Sequence, residues 1–490
     1  MSREVAIALD VGTTSARAAL VDARSGRILG RLGGMRTAPL AGRAEPEDLW
    51  RAIVDALDRA EAAVVHGDLR PLACGISVFW HSALLVGAGG VPVTPVLLWN
   101  DTDPTYVAAA RRLRRSVEPE ATRAATGAPI HPSFPGVKAA ALLAGRPGTE
   151  RAGLVLWGLE ELIALRLFGR AEKSLSMASA TGLWSDADRD WYAPLVRAIG
   201  LDPAALPEVV CVADERRRLT VAAAARWPRL GSAPWQLPRG DGALSNLGLG
   251  ATGRVAALTV GTSAALRLLD PPAAAAGEGL PRALFRYALD PGRAVSGGAL
   301  SDGGNLIGRI ASMAGVRPAA IEAAAQSCPP GAGGPLVLPG LWGERSPDWP
   351  DEALGGIVRL AADGQPAALV RSAVDTVAAG LGQVAEALAL AFGTGTLSAV
   401  RAGGGAVERL PSLAQAATDA VGLPLEMVHG GAESSALGAA RLALAGVGVT
   451  LPPPVVRRRF EPRPEGPVAY RQLWRELRRL RGAIGPGGEG

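Results

Sequence analysis

"VAIALDVGTTSARAALVD" (Val5–Asp22) is followed much later in the chain by a similar stretch, "VAALTVGTSAALRLLD" (Val255–Asp270). Each stretch has an apolar run, a turn of the form Val-Gly-Thr with a Ser, and a second apolar run. Short apolar runs on either side of a tight Gly turn are typical of a β-hairpin. The repeat predicts two halves of similar architecture, each opening with this hairpin. Chance similarity between two Gly-Thr turns is the alternative.

Helical and strand patterns alternate after each predicted hairpin. "PEDLWRAIVDALDRAEAAV" has Pro46 at a first helical position and Trp50, Ile53 and Leu57 on one face, and "LACGISV" is typical of a strand. In the second half, "AVSGGAL" predicts a strand and "ALVRSAVDTVAAGLGQVAEALALA" a long buried helix. This alternation predicts an α/β fold. We expect an N-terminal domain over 1–243, a C-terminal domain over 244–455 and a basic extension with an amphipathic helix over 456–490.

Length and composition limit the class of protein. The 490 residues are 48% hydrophobic and 20% charged, which predicts a soluble protein of more than one domain. The first apolar run is too short for a signal peptide, and no stretch predicts a membrane helix. Three scattered cysteines indicate a reducing cytoplasm and make no zinc spacing. The net charge of +5 comes with no nucleic-acid recognition motif, so we expect neither nucleic acid nor membrane as a partner. A homodimer is left open.

The two Gly-Thr turns are the best candidates for a phosphate site. Their backbone N–H groups and the hydroxyls of Thr13, Thr14 and Thr262 predict a cradle for phosphate oxygens. The chain has no Gly-Lys-Ser/Thr loop, and its "GLGATG" precedes a predicted strand where a dinucleotide fingerprint would precede a helix. Asp10 stands before the first turn where Thr259 stands before the second, and one acid beside phosphates suits one Mg²⁺ ion. A strand-end cap is the alternative role for Asp10.

"GDGALSNLG" places one acid, Asp241, between two glycines. Asp-Gly is a common turn pair, because Asp binds its own backbone and Gly accepts a positive φ. A catalytic carboxylate that reactants approach closely is the other interpretation. The stretch alone does not decide between them.

Eight stretches occur in an order that resembles one family: "LDVGTTSARAALVD", "WHSALLVGAGGVPVTPVLLWND", "SMASATGLW", "GDGALSNLG", "LTVGTSAALR", "GGALSDGGNL", "GERSPDW" and "GGGAVERLPSLAQAATDAVG". They are similar to the FGGY carbohydrate kinases of the actin/hexokinase superfamily, from about residue 4 to 445. The resemblance implies two duplicated actin/hexokinase-like (ribonuclease H-like) domains with the active site in a cleft between them. It implies a kinase that uses ATP and Mg²⁺ on a small sugar, sugar acid or polyol.

The resemblance also implies roles for single residues. Asp241 matches the catalytic base, which also contacts the sugar, and Asp10 matches the metal-associated acid. The other matched positions are Gly12, Thr13, Thr14, Gly261 and Thr262 for phosphate, Gly303 and Gly405 for the nucleotide, and Trp80, His81, Trp99 and Asp101 for the sugar. Trp80 and Trp99 as core aromatics, and His81 as a core histidine, remain alternatives.

The acceptor is less well defined by the resemblance. "WHS" and "SMASATGL" are most similar to gluconokinase-like members, whereas xylulokinases typically have Met-His-Gly at 80–82. We expect gluconate first, with Arg239, Lys138 or Arg17 meeting its carboxylate, and xylulose or another ketose or polyol second. A catalytically degenerate sugar- or nucleotide-binding regulator is the alternative outside enzymes.

Several positions depart from the family pattern. Asp103 replaces a basic residue, and Leu410 and Leu413 replace residues of the usual adenosine segment, so sugar identity and nucleotide preference stay open. In "GERSPDW" we expect Glu344 and Arg345 to pair with each other near the cleft.

Overall fold

The protein was analysed as a computed structural model that describes residues 2–36, 42–151, 153–211, 216–270, 279–331, 334–341, 343–352, 355–360 and 364–484. Strands in the first half are β1 (Arg3–Val11), β2 (Ser15–Asp22), β3 (Ile28–Arg36), β4 (Arg43–Ala44), β5 (Leu69–Val78), β6 (Leu84–Val86), β7 (Val96–Leu97), β8 (Val155–Trp157), β9 (Lys173–Ser174), β10 (Trp184–Ser185), β11 (Asp190–Trp191), β12 (Val209–Val210), β13 (Arg216–Arg217), β14 (Trp235–Gln236) and β15 (Arg239–Gly240). Helices there are α1 (Pro46–His66), α2 (Pro104–Ser116), α3 (Pro119–Thr126), α4 (Pro135–Ala144), α5 (Gly148–Arg151), α6 (Leu159–Phe168), α7 (Leu175–Ser179), α8 (Ala193–Ile199), α9 (Val221–Arg226), α10 (Pro228–Gly231) and α11 (Asp241–Gly248).

The second half continues with its own strands and helices. Its strands are β16 (Val255–Val260), β17 (Ala264–Asp270), β18 (Phe285–Asp290), β19 (Arg293–Leu300), β20 (Leu336–Leu338), β21 (Gly356–Val358), β22 (Ala399–Gly403), β23 (Leu425–Val428) and β24 (Val456–Phe460). Its helices are α12 (Gly304–Met313), α13 (Ile321–Gln326), α14 (Pro366–Phe392), α15 (Gly405–Arg409), α16 (Pro411–Val421), α17 (Ser434–Ala445) and α18 (Gly466–Ile484).

Both halves are built on the same arrangement of strands. In the first sheet, β1 is antiparallel to β2 on one side and parallel to β5 on the other. In the second sheet, β16 is likewise antiparallel to β17 and parallel to β22. The full orders are β13-β14-β5-β1-β2-β3, with β15 also on β5, and β18-β19-β17-β16-β22-β23-β24. The duplicated α/β architecture expected from the two hairpins is therefore confirmed.

Each sheet is covered by an apolar helix. On α1 the residues Leu49, Ile53 and Leu57 are buried against the first sheet, whereas Trp50 lies at the edge of that stripe and packs under Arg166. The helix α14 crosses the core of the second half. It is long and apolar enough to span a membrane, which differs from the expectation of no such stretch, but 78% of its most apolar window is buried inside the protein. It is therefore a core helix.

Two helices connect the halves tightly. The helix α17, from the second half, packs on β5 and β1 of the first sheet, where the Ala439 carbonyl would lie 2.4 Å from a Cβ at Gly75. The same helix packs along α11, which begins at Asp241. The first sheet is therefore covered on one face by a helix of the other half. The chain division expected at 243 and 455 stays a prediction.

Candidate active site

Asp10 and Asp241 lie at the same edge of the first sheet. Asp10 pairs in register with Ser77 of β5, and Ser77 pairs in register with Arg239 of β15. These three strands are parallel, so their carboxyl ends meet at one edge. Asp241 follows β15 directly and is the first residue of α11. The "GDG" stretch is therefore a strand-to-helix junction and not a reverse turn.

The glycines on either side of Asp241 are needed by Trp80. A Cβ at Gly240 would lie 1.7 Å from Nε1 of Trp80, and a Cβ at Gly242 would lie 2.2 Å from its Cζ3. Contacts this short are impossible, so any larger residue would displace the indole or the helix start. Neither sequence interpretation of Asp241, as a turn residue or as a carboxylate that reactants approach closely, included this packing. Trp80 therefore supports the backbone that carries Asp241.

Burial raises the pKa values of both Asp241 and Asp10. Burial is the largest cause and brings the pKa of Asp241 to about 6, with Asp10 adding repulsion and Arg267 opposing it. The pKa of Asp10 is also raised by burial, against the effect of Arg17, whose Nη2 lies 3.2 Å from the Asp10 carboxylate. Asp241 Oδ1 accepts a 2.7 Å hydrogen bond from the N–H of Gly242. An acid with a pKa near neutrality can exchange a proton at physiological pH.

Each Gly-Thr turn is closed by a backbone hydrogen bond from its glycine, and the first turn is one residue longer than the second. The N–H of Gly12 donates to the carbonyl of Ser15 at 2.9 Å, and the N–H of Gly261 donates to that of Ser263 at 3.0 Å. Thr14 and Thr262 are exposed at the tips, so their hydroxyls are accessible. Asp10 and Thr259, which stand two residues before the turns, each contact an arginine. Arg17 Nη2 lies 3.2 Å from the Asp10 carboxylate, and Arg267 Nη1 donates to Thr259 Oγ1 at 3.1 Å. The repeat therefore extends from the fold to the loops.

A large cavity opens beside the second turn. Its volume is about 960 Å³, and Gly261, Thr262, Gly304 and Arg409 are among its lining residues. Gly303 immediately precedes Gly304, and a Cβ there would lie 2.5 Å from the Ser263 backbone. Gly405 begins α15, and the next residue lines the cavity. Both predicted nucleotide glycines therefore stand at the wall of this cavity. Gly303 packs closely on the Ser263 backbone, whereas a Cβ at Gly405 would lie 2.9 Å from the Arg409 side chain.

A cluster of aromatic rings with unpaired polar atoms packs against the start of α11 through Trp80. Trp80 and Tyr287 have ring centroids 5.3 Å apart, and His81 lies 5.9 Å from Tyr287. Trp80 Nε1, His81 Nδ1 and the Tyr287 hydroxyl have no hydrogen-bond partner. His81 also has a φ of 66°, in the left-handed region that most residues avoid. Buried polar atoms are normally paired, so three unpaired neighbours indicate a site for a polar ligand.

Trp99 and Asp101 line a second cavity of about 600 Å³ between the halves. Arg345 of the "GERSPDW" loop stacks on Trp99, with Cζ 4.3 Å from the ring centroid. Asp101 is less free than the sequence suggests, because its Oδ2 accepts from Arg43 Nε at 2.9 Å and from the Tyr106 hydroxyl at 2.7 Å. Asp101 therefore stands at the cavity but is already held by two donors.

The cations expected to meet an anionic sugar are engaged elsewhere. Arg17 pairs with Asp10, as described above. Lys138 is fully buried and donates to the Leu98 carbonyl, and burial lowers its pKa to about 7. Arg239 is buried and donates to the Leu289 carbonyl. These three expectations are not supported by the contacts.

The expected pairing of Glu344 with Arg345 is wrong. Glu344 pairs with Arg481 of α18, whereas Arg345 points to Trp99 and donates to the Leu300 carbonyl at 3.0 Å. The sequence reasoning did not assign Arg267 or Tyr287 to the site. The available signal for Arg267 was a lone arginine inside the apolar strand of the second hairpin.

Comparisons with known proteins point to one family. The profile described as the N-terminal domain of the FGGY family of carbohydrate kinases matches residues 5–248, and that of the C-terminal domain matches residues 256–447. The chain is 27% identical over 390 residues to a gluconokinase of Bacillus subtilis, covering 76% of this chain and 74% of that protein. It is 27% identical over 388 residues to a xylulose kinase of Streptomyces coelicolor, covering 73% of each.

A solved structure has the same fold. The crystal structure of gluconate kinase from Lactobacillus acidophilus superposes with a TM-score of 0.83 at 22% identity, covering 99% of this chain and 98% of that one. The superposition therefore includes both halves of this chain. With both domain profiles matched along most of its length, the chain belongs to the FGGY family of carbohydrate kinases.

Proposed function

We propose that this carbohydrate kinase transfers the terminal phosphoryl group of ATP to a hydroxyl group of gluconate, with Asp241 as the general base. The observation that carries the proposal is the position of Asp241, beside Asp10 at the sheet edge and above the unpaired polar atoms of Trp80, His81 and Tyr287. Similarity to proteins named gluconokinase supports the choice of acceptor.

The proposed step is an in-line displacement at phosphorus. Asp241 takes the proton of the acceptor hydroxyl as that oxygen bonds to the γ-phosphorus, and the bond between this phosphorus and the bridging oxygen of ADP breaks. Such transfers demand positioning and charge stabilisation more than covalent help from the protein. The N–H groups and hydroxyls of the turns at Gly12–Thr14 and Gly261–Thr262 would hold the phosphates, with the adenosine in the cavity beside Gly304.

Asp10 fits a role toward Mg²⁺. Within the part of the chain that the structure describes, no group of three His, Cys, Asp or Glu side chains forms a protein-only metal cage. Mg²⁺ is commonly held by one or two carboxylates together with substrate phosphates and waters, and Asp10 beside the first turn matches that donor set. A bound Mg²⁺ would neutralise charge on the phosphates.

A neutral ketose such as xylulose is the second candidate acceptor. The similarity to the Streptomyces coelicolor xylulose kinase has the same identity as that to the gluconokinase. The unpaired polar atoms of Trp80, His81 and Tyr287 would form hydrogen bonds with the hydroxyls of either sugar. We also propose that the enzyme works in the cytoplasm, where reduced cysteines are stable, because Cys74, Cys211 and Cys328 are not joined in disulfides.

An acceptor panel tests the proposal. The rate of ADP release from ATP would be measured with gluconate, xylulose, glycerol or no acceptor, with Mg²⁺ and again with excess EDTA. We expect gluconate to give the highest kcat/KM, release without acceptor to be at least about 100-fold slower, since acceptor positioning supplies several kcal/mol, and EDTA to abolish the activity. If xylulose is phosphorylated and gluconate is not, the proposed acceptor is wrong. If the acceptors do not increase the rate of ADP release, the kinase roles proposed for these residues are wrong.

A further inference from the structure

Two arginines near Asp241 are buried without an acidic partner. The exposed fractions of Arg267 and Arg345 are 9% and 7%. The Nε atoms of both have no hydrogen-bond partner, and within the described part of the chain their guanidinium groups bond to the Thr259 hydroxyl and the Leu300 carbonyl rather than to a carboxylate. Most other buried arginine or lysine charges of a protein are paired, because an unpaired charge away from water costs free energy.

Each guanidinium is oriented by a neutral contact. Arg345 donates through Nη2 to the Leu300 carbonyl at 3.0 Å and stacks on the Trp99 ring, whose plane limits its rotation. Arg267 donates through Nη1 to Thr259 Oγ1 at 3.1 Å. Arg345 also lines the cavity of about 600 Å³ that Trp99 and Asp101 share. The arginines are thus held in place while several of their N–H donors stay free for another group.

The charges around the pair are incompletely balanced. Burial lowers the pKa of Arg267 to about 10, with Asp241 opposing this shift. Burial likewise lowers the pKa of Arg345 to about 10, and Arg267 lowers it further by repulsion, while Tyr287, Asp241 and Asp302 oppose the shift. Asp302 is engaged by the Gly340 N–H at 2.5 Å. An anion bound between the two guanidinium groups would therefore relieve their mutual repulsion.

We propose that Arg345 and Arg267 bind the carboxylate group of a sugar-acid acceptor and thereby select it over neutral sugars. The inference rests on the proposed function, because it requires an acceptor that reaches both Asp241 and the cavity that Arg345 lines. Guanidinium groups bind carboxylates through parallel N–H···O hydrogen bonds, which are about twice as strong as neutral ones. A neutral sugar would leave the two charges uncompensated, so it would bind less well.

A phosphate oxygen of ATP shares the chemistry of a carboxylate and is the other anion that could meet Arg267. The two sources are separated by comparing D-gluconate with D-glucitol, which has the same six-carbon chain but a neutral hydroxymethyl group in place of the carboxylate. Loss of a carboxylate contact affects gluconate alone. Loss of a phosphate contact affects both acceptors equally and raises KM for ATP.

The experiment measures kcat and KM for both acceptors and for ATP in the wild type and in Arg345→Met, Arg345→Lys and Arg267→Met. We expect the wild type to prefer gluconate by at least about 100-fold, as a charge-assisted pair of hydrogen bonds allows. Arg345→Met should lower kcat/KM for gluconate about 100-fold, mainly through KM, while glucitol changes by less than about threefold. Arg345→Lys should recover part of the loss. Arg441→Met is the matched control, since Arg441 also has an unpaired Nε but binds the Leu451 and Pro452 carbonyls.

The possible failures are distinct. If the wild type phosphorylates gluconate but the variants lose both acceptors equally, the acceptor stands and the carboxylate site is wrong. A fall in kcat for both acceptors with a shifted pH profile would mean that the arginines only keep Asp241 ionised. If the wild type phosphorylates xylulose and not gluconate, both proposals fail. Should a variant fold poorly, stabilisation of the wild type by gluconate but not glucitol in thermal unfolding still tests the site, and equal stabilisation overturns it.

Discussion

At the residue scale, we expect the protonation of Asp241, the proposed base, to set the pH dependence of kcat/KM. A base must be ionised to accept a proton, and burial and Asp10 raise the pKa of Asp241 to about 6. We therefore expect kcat/KM to rise with pH through about 6 and to level off above it, because kcat/KM reports the free enzyme. Asp10 has a raised pKa as well, so the profile belongs to the pair.

The variant Asp241→Asn tests the same residue. Asn keeps the size of Asp but cannot take the proton, so kcat should fall by at least about 100-fold while KM for ATP changes little. The folded-state pKa lies above the unfolded value, so ionisation destabilises the wild type as pH rises from about 4 to 6. Asp241→Asn should then raise Tm at pH 8 but not at pH 4. A folded variant that keeps more than a third of wild-type kcat would reject the base.

At the element scale, α18 holds the loop that carries Arg345. Tyr470, Trp474 and Leu477 bury one face of α18 in the core of the second half. From the same helix, Arg481 bonds the buried Glu344 and donates to Asp348 at 2.9 Å. Both acids belong to "GERSPDW", so the helix fixes the loop on either side of Arg345. The family profiles end at 447, before this helix.

Removing Arg481 should loosen that loop. Arg481→Met leaves Glu344, whose pKa burial raises to about 7, without its cation. We expect a loss of about 2 kcal/mol in the free energy of unfolding, typical for hydrogen bonds to charged groups, and a rise in KM for the acceptor greater than that for ATP. Arg481→Lys should restore part of both. Arg479→Met, on the exposed side of α18, is the control. Equal changes in both KM values would mean that the helix acts on stability alone.

Local sequence patterns predicted the strands, turns and helices better than they predicted the contacts between them. The hairpin turns at Gly12 and Gly261 and the helix α14 depend on neighbouring residues, so the sequence indicated them correctly. The packing of Trp80 against Gly240 joins residues far apart in the chain, and so does the stacking of Arg345 on Trp99. The residue pattern alone did not assign Asp241 to its helix start or to catalysis, and the family resemblance supplied that role.

At the scale of the whole molecule, the spacing of the two halves depends on glycines between α11 and α17. A Cβ at Gly438 of α17 would lie 1.9 Å from the Leu244 carbonyl oxygen of α11, and one at Gly248 would lie 1.8 Å from the Ser434 carbonyl oxygen. These partners are backbone atoms, so they cannot rotate away. The helices must separate to admit a side chain. Since α11 starts at Asp241, such a separation would move the proposed base relative to the two Gly-Thr turns.

Gly438→Ala should therefore impair both stability and catalysis. We expect a cost of about 1–3 kcal/mol in the free energy of unfolding, as for other overpacked contacts. A displacement of about 1 Å at Asp241 can lower kcat by up to about 100-fold. Gly482→Ala is the matched control, because Gly482 also lies in a helix but has no atom within 4 Å of its added Cβ, and Ala there should leave kcat unchanged. Thermal unfolding and steady-state kinetics of both variants provide the measurement. Wild-type Tm and kcat in Gly438→Ala would show that the two helices separate without cost and that their contact does not position the base.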